Sequence, residues 1–300
     1  MKILLKNEQD FFYWNNMEKM KKVAIQGVSG AFHEIAARQY FKGEEIEILP
    51  CITFKDLFKA LADDDSLLGI IAIENTIAGS LLQNHNLLRE SGCLIIGEYK
   101  LRIEHNLAVL PGQLIEDVEE VYSHPIALMQ CEDFLDAHKH MKAIESEDTA
   151  LSAKKITDEK ITKRAAICSS LAAENYGLEI IAKGIETNKR NFTRFLLIAE
   201  PSLAEKMTFG TQLDKSSLVF TLPHEEGSLA KVLSILSFYN VNLTKIQSLP
   251  IIGREWEYQF YINLTFDDYS RYRQSLDAIR PLTKDFQELG EYRAAVTPAD

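Results

Sequence analysis

"KKVAIQGVSGAFHEIAARQYF", residues 21–41, contains the local order from which the architecture follows. Residues 23–26 make a short apolar strand, Gly27, Val28, Ser29 and Gly30 a turn, and residues 31–41 carry helical spacing. Strand, glycine turn and helix form the repeating unit of α/β sheets. Moving outward, Thr53 and Asp56 form a capping arrangement ahead of Phe54, Leu57, Phe58 and Leu61 at helical spacing. "LLGIIAIENTIAGS", residues 67–80, is a buried strand that runs into Glu74, Asn75 and Thr76 and then another helix. The alternation continues to about residue 200 and predicts an α/β domain with mainly parallel sheets, whose ligands sit where strands end. The extended "CLIIGEYKLRIEHNLAVL", residues 93–110, is long enough to pass from one small sheet to another. Two lobes with a cleft are therefore expected: lobe one over about 22–100 plus 180–200, lobe two over about 101–179.

Residues 201–215 lose periodicity, carry Pro and Gly with mixed charge, and read as a linker. Beyond it the pattern is strand 217–222, helix 227–239, strand 242–249, strand 256–266, helix 269–279 and strand 286–296. Leu229, Val232, Leu233 and Leu236 give the first helix a buried stripe, and the alternation Trp256, Tyr258, Phe260, Ile262, Leu264, Phe266 gives one apolar sheet face. This βαββαβ order predicts a ferredoxin-like sandwich over 216–300, a fold whose free sheet edge or face commonly pairs with a copy of itself.

Composition bounds the function. The 300 residues are 46% hydrophobic and 26% charged, as in a soluble globular chain with two or three cores. A net charge of −11 with no concentrated basic face argues against a nucleic-acid partner. No apolar run is long enough for a membrane span. Cys51, Cys93, Cys131 and Cys168 lie far apart without metal-ligand spacing and read as reduced thiols of a cytoplasmic protein. Residues 1–21 read as an N-terminal tail, with Met20 an alternative start.

The polar residues at strand ends each have two readings. Gly27-Val28-Ser29-Gly30 lacks the dinucleotide fingerprint; it is either an anion-binding turn or a tight turn capped by Ser29. Asn75 or Thr76 caps a helix or lines a cleft, while Glu74 beside a buried strand calls for a specific partner. In "VYSHPIALMQC", residues 121–131, Ser123 or His124 caps the helix that Pro125 opens, or reaches a ligand, with Gln130 on the second turn. Ser169 in "AAICSSLAAENYGL", residues 165–178, is equally ambiguous. In "NKRNFTRFLLIAE", residues 188–200, Phe192, Arg194 and Leu196 share one strand face and Thr193, Phe195 and Leu197 the other. Thr193 is an ordinary strand former, but a guanidinium at the mouth of a buried strand needs an anion, either a structural carboxylate such as Glu74 or a ligand's.

Together "GVSGAF", "IENTIAG", "VYSHPIALMQC", "AAICSSLAAENYGL" and above all "NFTRFLLI" resemble the prephenate dehydratases with a C-terminal ACT regulatory domain, over residues 22–300. "GSLAKVLSIL" and "VNLTKIQSLP" are similar to the two ligand-side motifs of the ACT domain. The resemblance implies a two-lobed, periplasmic-binding-protein-like catalytic domain over 22–200 and conversion of prephenate to phenylpyruvate, with no cofactor and no metal. It implies Thr193, Glu74 and Asn75 as catalytic and Ser29, Thr76, Ser123, His124, Gln130, Ser169, Arg194 and Phe195 as substrate-binding. It further implies L-phenylalanine as effector at Gly227, Ser228, Leu229, Asn242, Leu243, Gln247 and Ser248 of a homodimer or homotetramer. Three departures stand out: Asp148 where serine is usual, Ile126 where glutamine is frequent, and Gln247-Ser248-Leu249-Pro250 where the effector motif is Glu-Ser-Arg-Pro, which weakens the expectation of effector binding. An arogenate dehydratase and a non-catalytic two-lobed small-anion binding protein are the competing expectations.

Overall fold

The computed structural model describes residues 20–251 and 253–295; the expected tail up to residue 19 and the end of the expected last strand, Val296, lie outside them. The first sheet has the order β2-β1-β3-β11-β5, with β1 Lys21–Gln26, β2 Ile46–Cys51, β3 Leu68–Asn75, β5 Leu94–Arg102 and β11 Phe192–Ala199; the short β4, Gly79–Ser80, pairs back onto β3. The second has the order β10-β6-β9-β7-β8, with β6 Asn106–Val109, β7 Glu120–Ser123, β8 Lys142–Glu145, β9 Arg164–Cys168 and β10 Glu179–Ala182. The two sheets are the expected two lobes. Thr53 and Asp56 form the expected capping box on helix Phe54–Asp63, which buries Leu57, Phe58 and Leu61.

Three expectations need correction. The sheets are mixed: β1, β2 and β3 run parallel, but β11 is antiparallel to both β3 and β5, and β6 is antiparallel to β9 and β10. Residues 183–191 hold no helix, and the chain re-enters the first sheet antiparallel to β5, the strand by which it left. β10 consequently belongs to lobe two, and lobe one resumes only at β11. Finally, the expected linker contains helix Pro201–Thr208, which Glu200 caps and whose Ala204 joins the core of lobe one.

The C-terminal domain is the expected βαββαβ sandwich, with sheet order β13-β14-β12-β15 from β12 Lys215–Thr221, β13 Asn242–Pro250, β14 Tyr258–Thr265 and β15 Lys284–Tyr292. Its helices Ser228–Phe238 and Tyr269–Ile279 cover one face through Val232, Leu236, Tyr272, Leu276 and Ile279. Trp256 lies outside the strand and is exposed, while Gln259, Tyr261 and Asn263, on the face opposite the apolar alternation, are buried. The reason is that this second face lies on lobe one: Val219, Leu249, Tyr261 and Leu289 share a core with Ile73, Leu88, Ile95 and Leu196. Backbones meet where Gly290 crosses β5, since a Cβ there would sit 2.2 Å from the Ile95 carbonyl oxygen.

Candidate active site

A cleft of about 250 Å³ opens between the lobes, lined from lobe one by Gln26, Phe32, His33, Asn75, Thr193 and Phe195 and from lobe two by His105, His124, Gln130 and Asp148. Its floor is the paired ends of β3 and β11, where Thr193 stands opposite Asn75. A register shift between Arg194 and Phe195 brings Ala72 opposite Phe195, so Ala72, Asn75, Thr193 and Phe195 all face the cleft.

Asn75 organises this floor. Its Nδ2 donates to Thr193 Oγ1 (3.0 Å) and Asn191 Oδ1 (2.8 Å), and its Oδ1 accepts from the backbone N–H groups of Ile77 (2.9 Å) and Ala78 (2.8 Å) and from Gln130 Nε2 (3.2 Å). The asparagine therefore shapes a local turn; the following helix, Leu82–Ser91, starts without a side-chain cap. Gln130 Oε1 accepts from Asn191 Nδ2 (2.9 Å) and lies 2.9 Å from His105 Nε2, which must then carry the imidazole proton. Burial pushes the His105 pKa down, with Gln130 and Glu186 pulling the other way. Burial lowers the His33 pKa to about 3; the neutral ring accepts from Ala72 N–H at 3.2 Å and meets the Phe195 ring edge-on.

Thr193 is 8% exposed, and its hydroxyl oxygen accepts from Asn75. Among the described residues no acceptor is paired with its proton, which leaves it a donor toward the cleft. Among the described residues no lysine or arginine lines the cleft. Instead, helices Phe32–Tyr40, Pro125–Gln130 and Thr149–Glu159 present their positive N-terminal ends to it. Asp148 caps the last of these, accepting from Leu151 N–H at 2.9 Å, and burial raises its pKa.

Several expected site residues are elsewhere. Glu74 and Arg194 project from the opposite face of the sheet: Arg194 Nε lies 2.6 Å from Glu98 Oε2, its Nη1 3.8 Å from Glu74, and Lys245 Nζ 2.9 Å from Glu74. Alternation along the strands explains this, because neighbours of cleft-facing Asn75 and Thr193 must point away. Arg194 is thus a strut, and mainly to Glu98 rather than to Glu74. Ser123 donates to Ile167 O (2.7 Å), tying β7 to β9. Ser169 caps helix Ser170–Asn175 and donates to Gly30 O (2.6 Å), joining the lobes. Ser29 accepts from Asn175 Nδ2 at 2.9 Å and caps no helix. Thr76 donates to Arg190 O (3.0 Å). None of these four hydroxyls lines the cleft. His124, Gln130 and Phe195 do, and His124 caps its own helix as well.

His33, His105 and Asn191 were not singled out from sequence. Asn191 lies inside the quoted 188–200 stretch, just before β11, and His105 inside the 93–110 crossing, so a polar residue at a lobe crossing is the signal that finds both.

In the C-terminal domain, Ser228 and Leu229 line a hollow of about 370 Å³ with Trp256, Tyr258 and Phe260. Gly227 precedes them in the left-handed conformation. Asn242 and Leu243 sit at the far end of β13, opposite Thr265 and Leu264, while Gln247 and Ser248 lie opposite Tyr261 and Phe260. Among the described residues the hollow is lined by Ser228 and Leu229 of the first expected effector motif but by none of Asn242, Leu243, Gln247 and Ser248.

The family model described as prephenate dehydratase matches residues 23–202. The bifunctional chorismate mutase/prephenate dehydratase of Aquifex aeolicus is 33% identical over 283 residues, which cover 94% of this chain and 76% of the relative. Among solved structures, the prephenate dehydratase of Arthrobacter aurescens in complex with L-Phe superposes with a TM-score of 0.80 at 26% identity, covering 93% of this chain and 92% of that one. A protein described as GqqA, a novel type of quorum quenching acylase, superposes equally well, with a TM-score of 0.80 at 29% identity over 93% of this chain and 99% of that one. With a family match over more than half its length and a relative aligned along nearly all of it, this chain belongs to the prephenate dehydratase family.

Proposed function

We propose that the protein is a prephenate dehydratase, removing carbon dioxide and the ring hydroxyl from prephenate to give phenylpyruvate on the route to phenylalanine. The observation that carries this reading is the Thr193 hydroxyl, oriented by Asn75 in a cleft walled by Phe32, Phe54 and Phe195. Loss of the ring carboxylate makes the ring aromatic, which supplies the driving force, so the protein needs to orient a dianion and stabilise the departing oxygen. Thr193 donates a hydrogen bond that strengthens as negative charge builds on that oxygen. The helix N-termini around the cleft offer favourable potential to the substrate carboxylates. Asn75, the neighbour of Thr193, is an amide and not a base, which favours a donor role over that of an acyl-accepting nucleophile. Incubation with prephenate in chelator-treated buffer should give phenylpyruvate; no product from the folded protein overturns the reading.

The βαββαβ domain reads as an ACT domain with L-phenylalanine as effector, supported by the Arthrobacter relative's complex with L-Phe. Gly227 and Asn242 lie toward opposite ends of one sheet, which supports an effector site shared between copies and a homodimer or homotetramer as the working form. Gln247 and Leu249 replace the charged pair of the usual motif, so binding is weakened; titration calorimetry with L-phenylalanine giving no heat removes this part. The four buried, unpaired cysteines suit a reducing cytoplasmic setting.

A further inference from the structure

The face of lobe one opposite the cleft carries a charged and hydroxyl network that the proposed chemistry does not use. Arg194 Nη2 donates to Tyr292 Oη (3.0 Å), and Tyr292 Oη lies 2.7 Å from Ser217 Oγ. In the orientation that satisfies both ends of the Asn263 amide, its oxygen accepts from Arg194 Nη1 (2.6 Å) and its nitrogen donates to Ser217 (2.8 Å). Glu98 joins the set from β5, taking Arg194 Nε at 2.6 Å, Lys215 Nζ at 2.7 Å and the backbone N–H of Ala295 at 3.0 Å. Tyr292, Ser217, Asn263 and Lys215 all belong to the C-terminal domain, and Arg194 is the residue after Thr193.

A second connection runs beside the first. Lys245 of β13 reaches Glu74 (2.9 Å) and Ser80 Oγ (2.8 Å), and Glu74 and Ser80 are paired across β3 and β4. The turn between these strands is the one that Asn75 organises and that presents Ala78 to the cleft. Lys245 therefore clamps both arms of this turn from behind. It also stands on the strand that bears Asn242, Leu243, Gln247 and Ser248.

We propose that Arg194 and Glu74 are positioning residues, through which Tyr292 and Lys245 of the C-terminal domain hold the Thr193–Asn75 pair in its working geometry. The two pairs are consecutive rungs of one antiparallel ladder, Thr193 opposite Asn75 and Arg194 opposite Glu74, with one rung facing the cleft and the next facing the C-terminal sheet. A shift of that sheet against lobe one moves the rear rung, and the backbone passes the movement to the front one. The link acts on kcat, because it sets the aim of the hydroxyl and not the room for substrate.

The inference rests on the dehydratase reading for its kinetic arm only. Tyr292→Phe keeps the ring and removes the hydrogen bond to Arg194; Lys245→Met removes the clamp, and Lys245→Arg retains it at the partly exposed Glu74. In Tyr292→Phe and Lys245→Met, kcat for prephenate is expected to fall roughly fivefold to tenfold with KM nearly unchanged, and Lys245→Arg to keep most of the wild-type rate. Backbone amide exchange over residues 73–80 and 191–195, read by mass spectrometry on the full chain, should accelerate in Lys245→Met but not in Lys245→Arg. Wild-type rates together with wild-type exchange in Lys245→Met overturn the proposal, even if Tyr292→Phe does not fold. A wild-type protein inactive on prephenate overturns the dehydratase reading and leaves the exchange comparison to decide this one.

Discussion

Asn75 Nδ2 lies 3.0 Å from Thr193 Oγ1 across the β3–β11 pair, so the threonine oxygen accepts from the protein and its proton is free for the cleft. Thr193→Val keeps the shape of the side chain and removes that proton. Its kcat on prephenate should drop by about 10²–10⁴-fold, the usual contribution of a positioned donor, with the fold intact by circular dichroism. Thr193→Ser should retain much more of the rate. A valine variant with wild-type kcat would end the assigned role.

Asn75→Ala should damage both rate and stability. It removes the donor to Thr193 and leaves Asn191, Gln130 and the N–H groups of Ile77 and Ala78 short of a partner. Each buried group left unsatisfied costs about 1–3 kcal/mol, so the urea midpoint should fall together with kcat. An unchanged midpoint would show that water replaces the amide fully.

Glu98→Ala tests the cluster behind the sheet. Burial raises the Glu98 pKa, but Arg194 and Lys215 together outweigh it and hold the carboxyl below its usual range. Removing it leaves two buried cations facing each other, and breaking a buried pair in this way costs about 3–5 kcal/mol. Chemical denaturation should show the loss at neutral pH. By linkage, the depressed pKa contributes stability that is present above the unfolded value and lost as pH falls through the folded one, so the gap between Glu98→Ala and wild type should narrow in acid.

His85 offers a separate acid test. Its pKa is lowered to about 3, chiefly by burial and further by Lys245 and Arg194, and its Nε2 has no hydrogen-bond partner among the described residues. A depressed histidine contributes stability that is full above its unfolded pKa, about 6.5, and lost as pH falls toward the folded value. The slope is about 1.4 kcal/mol per pH unit for each such group, and His33 adds a second. His85→Phe preserves the ring beside Tyr261, should be close to neutral at pH 7, and should flatten the loss between pH 6 and 4. Parallel pH–stability curves for variant and wild type would refute this.

The lobes were legible in the sequence from the length of the 93–110 crossing, and the βαββαβ domain and the opposed faces of β11 because each rests on a local period. Leu196 and Ile198 do join one core, and Phe195 and Leu197 the other. What period cannot report is which side of a sheet faces the cleft. Glu74 and Asn75 are neighbours in a polar triplet, and the acid's nearer partner, Lys245, comes from the docked C-terminal domain. Similarly, the hydroxyls of Ser123 and Ser169 stand at strand ends as ligand-binding groups do, yet spend their protons on Ile167 and Gly30, contacts made by distant segments. The second buried face of β14 was missed for the same reason: Gln259 and Asn263 look solvent-facing until the first lobe covers them.

β5 and β11 are adjacent antiparallel strands, and where one ends and the other begins Ile103 N–H donates to Asn191 O at 2.8 Å. Topologically, then, the whole of lobe two is a graft into the bend of a β-hairpin, and its removal would leave the strand order of the first sheet unbroken. The half of the molecule that carries Thr193 and Asn75 is continuous with the C-terminal domain, whereas the half that faces it across the cleft is an appendage on a two-stranded stalk. Exchanging that appendage would keep the Thr193–Asn75 contact, which lies wholly within the first sheet, and renew what lobe two brings to it, Gln130 included.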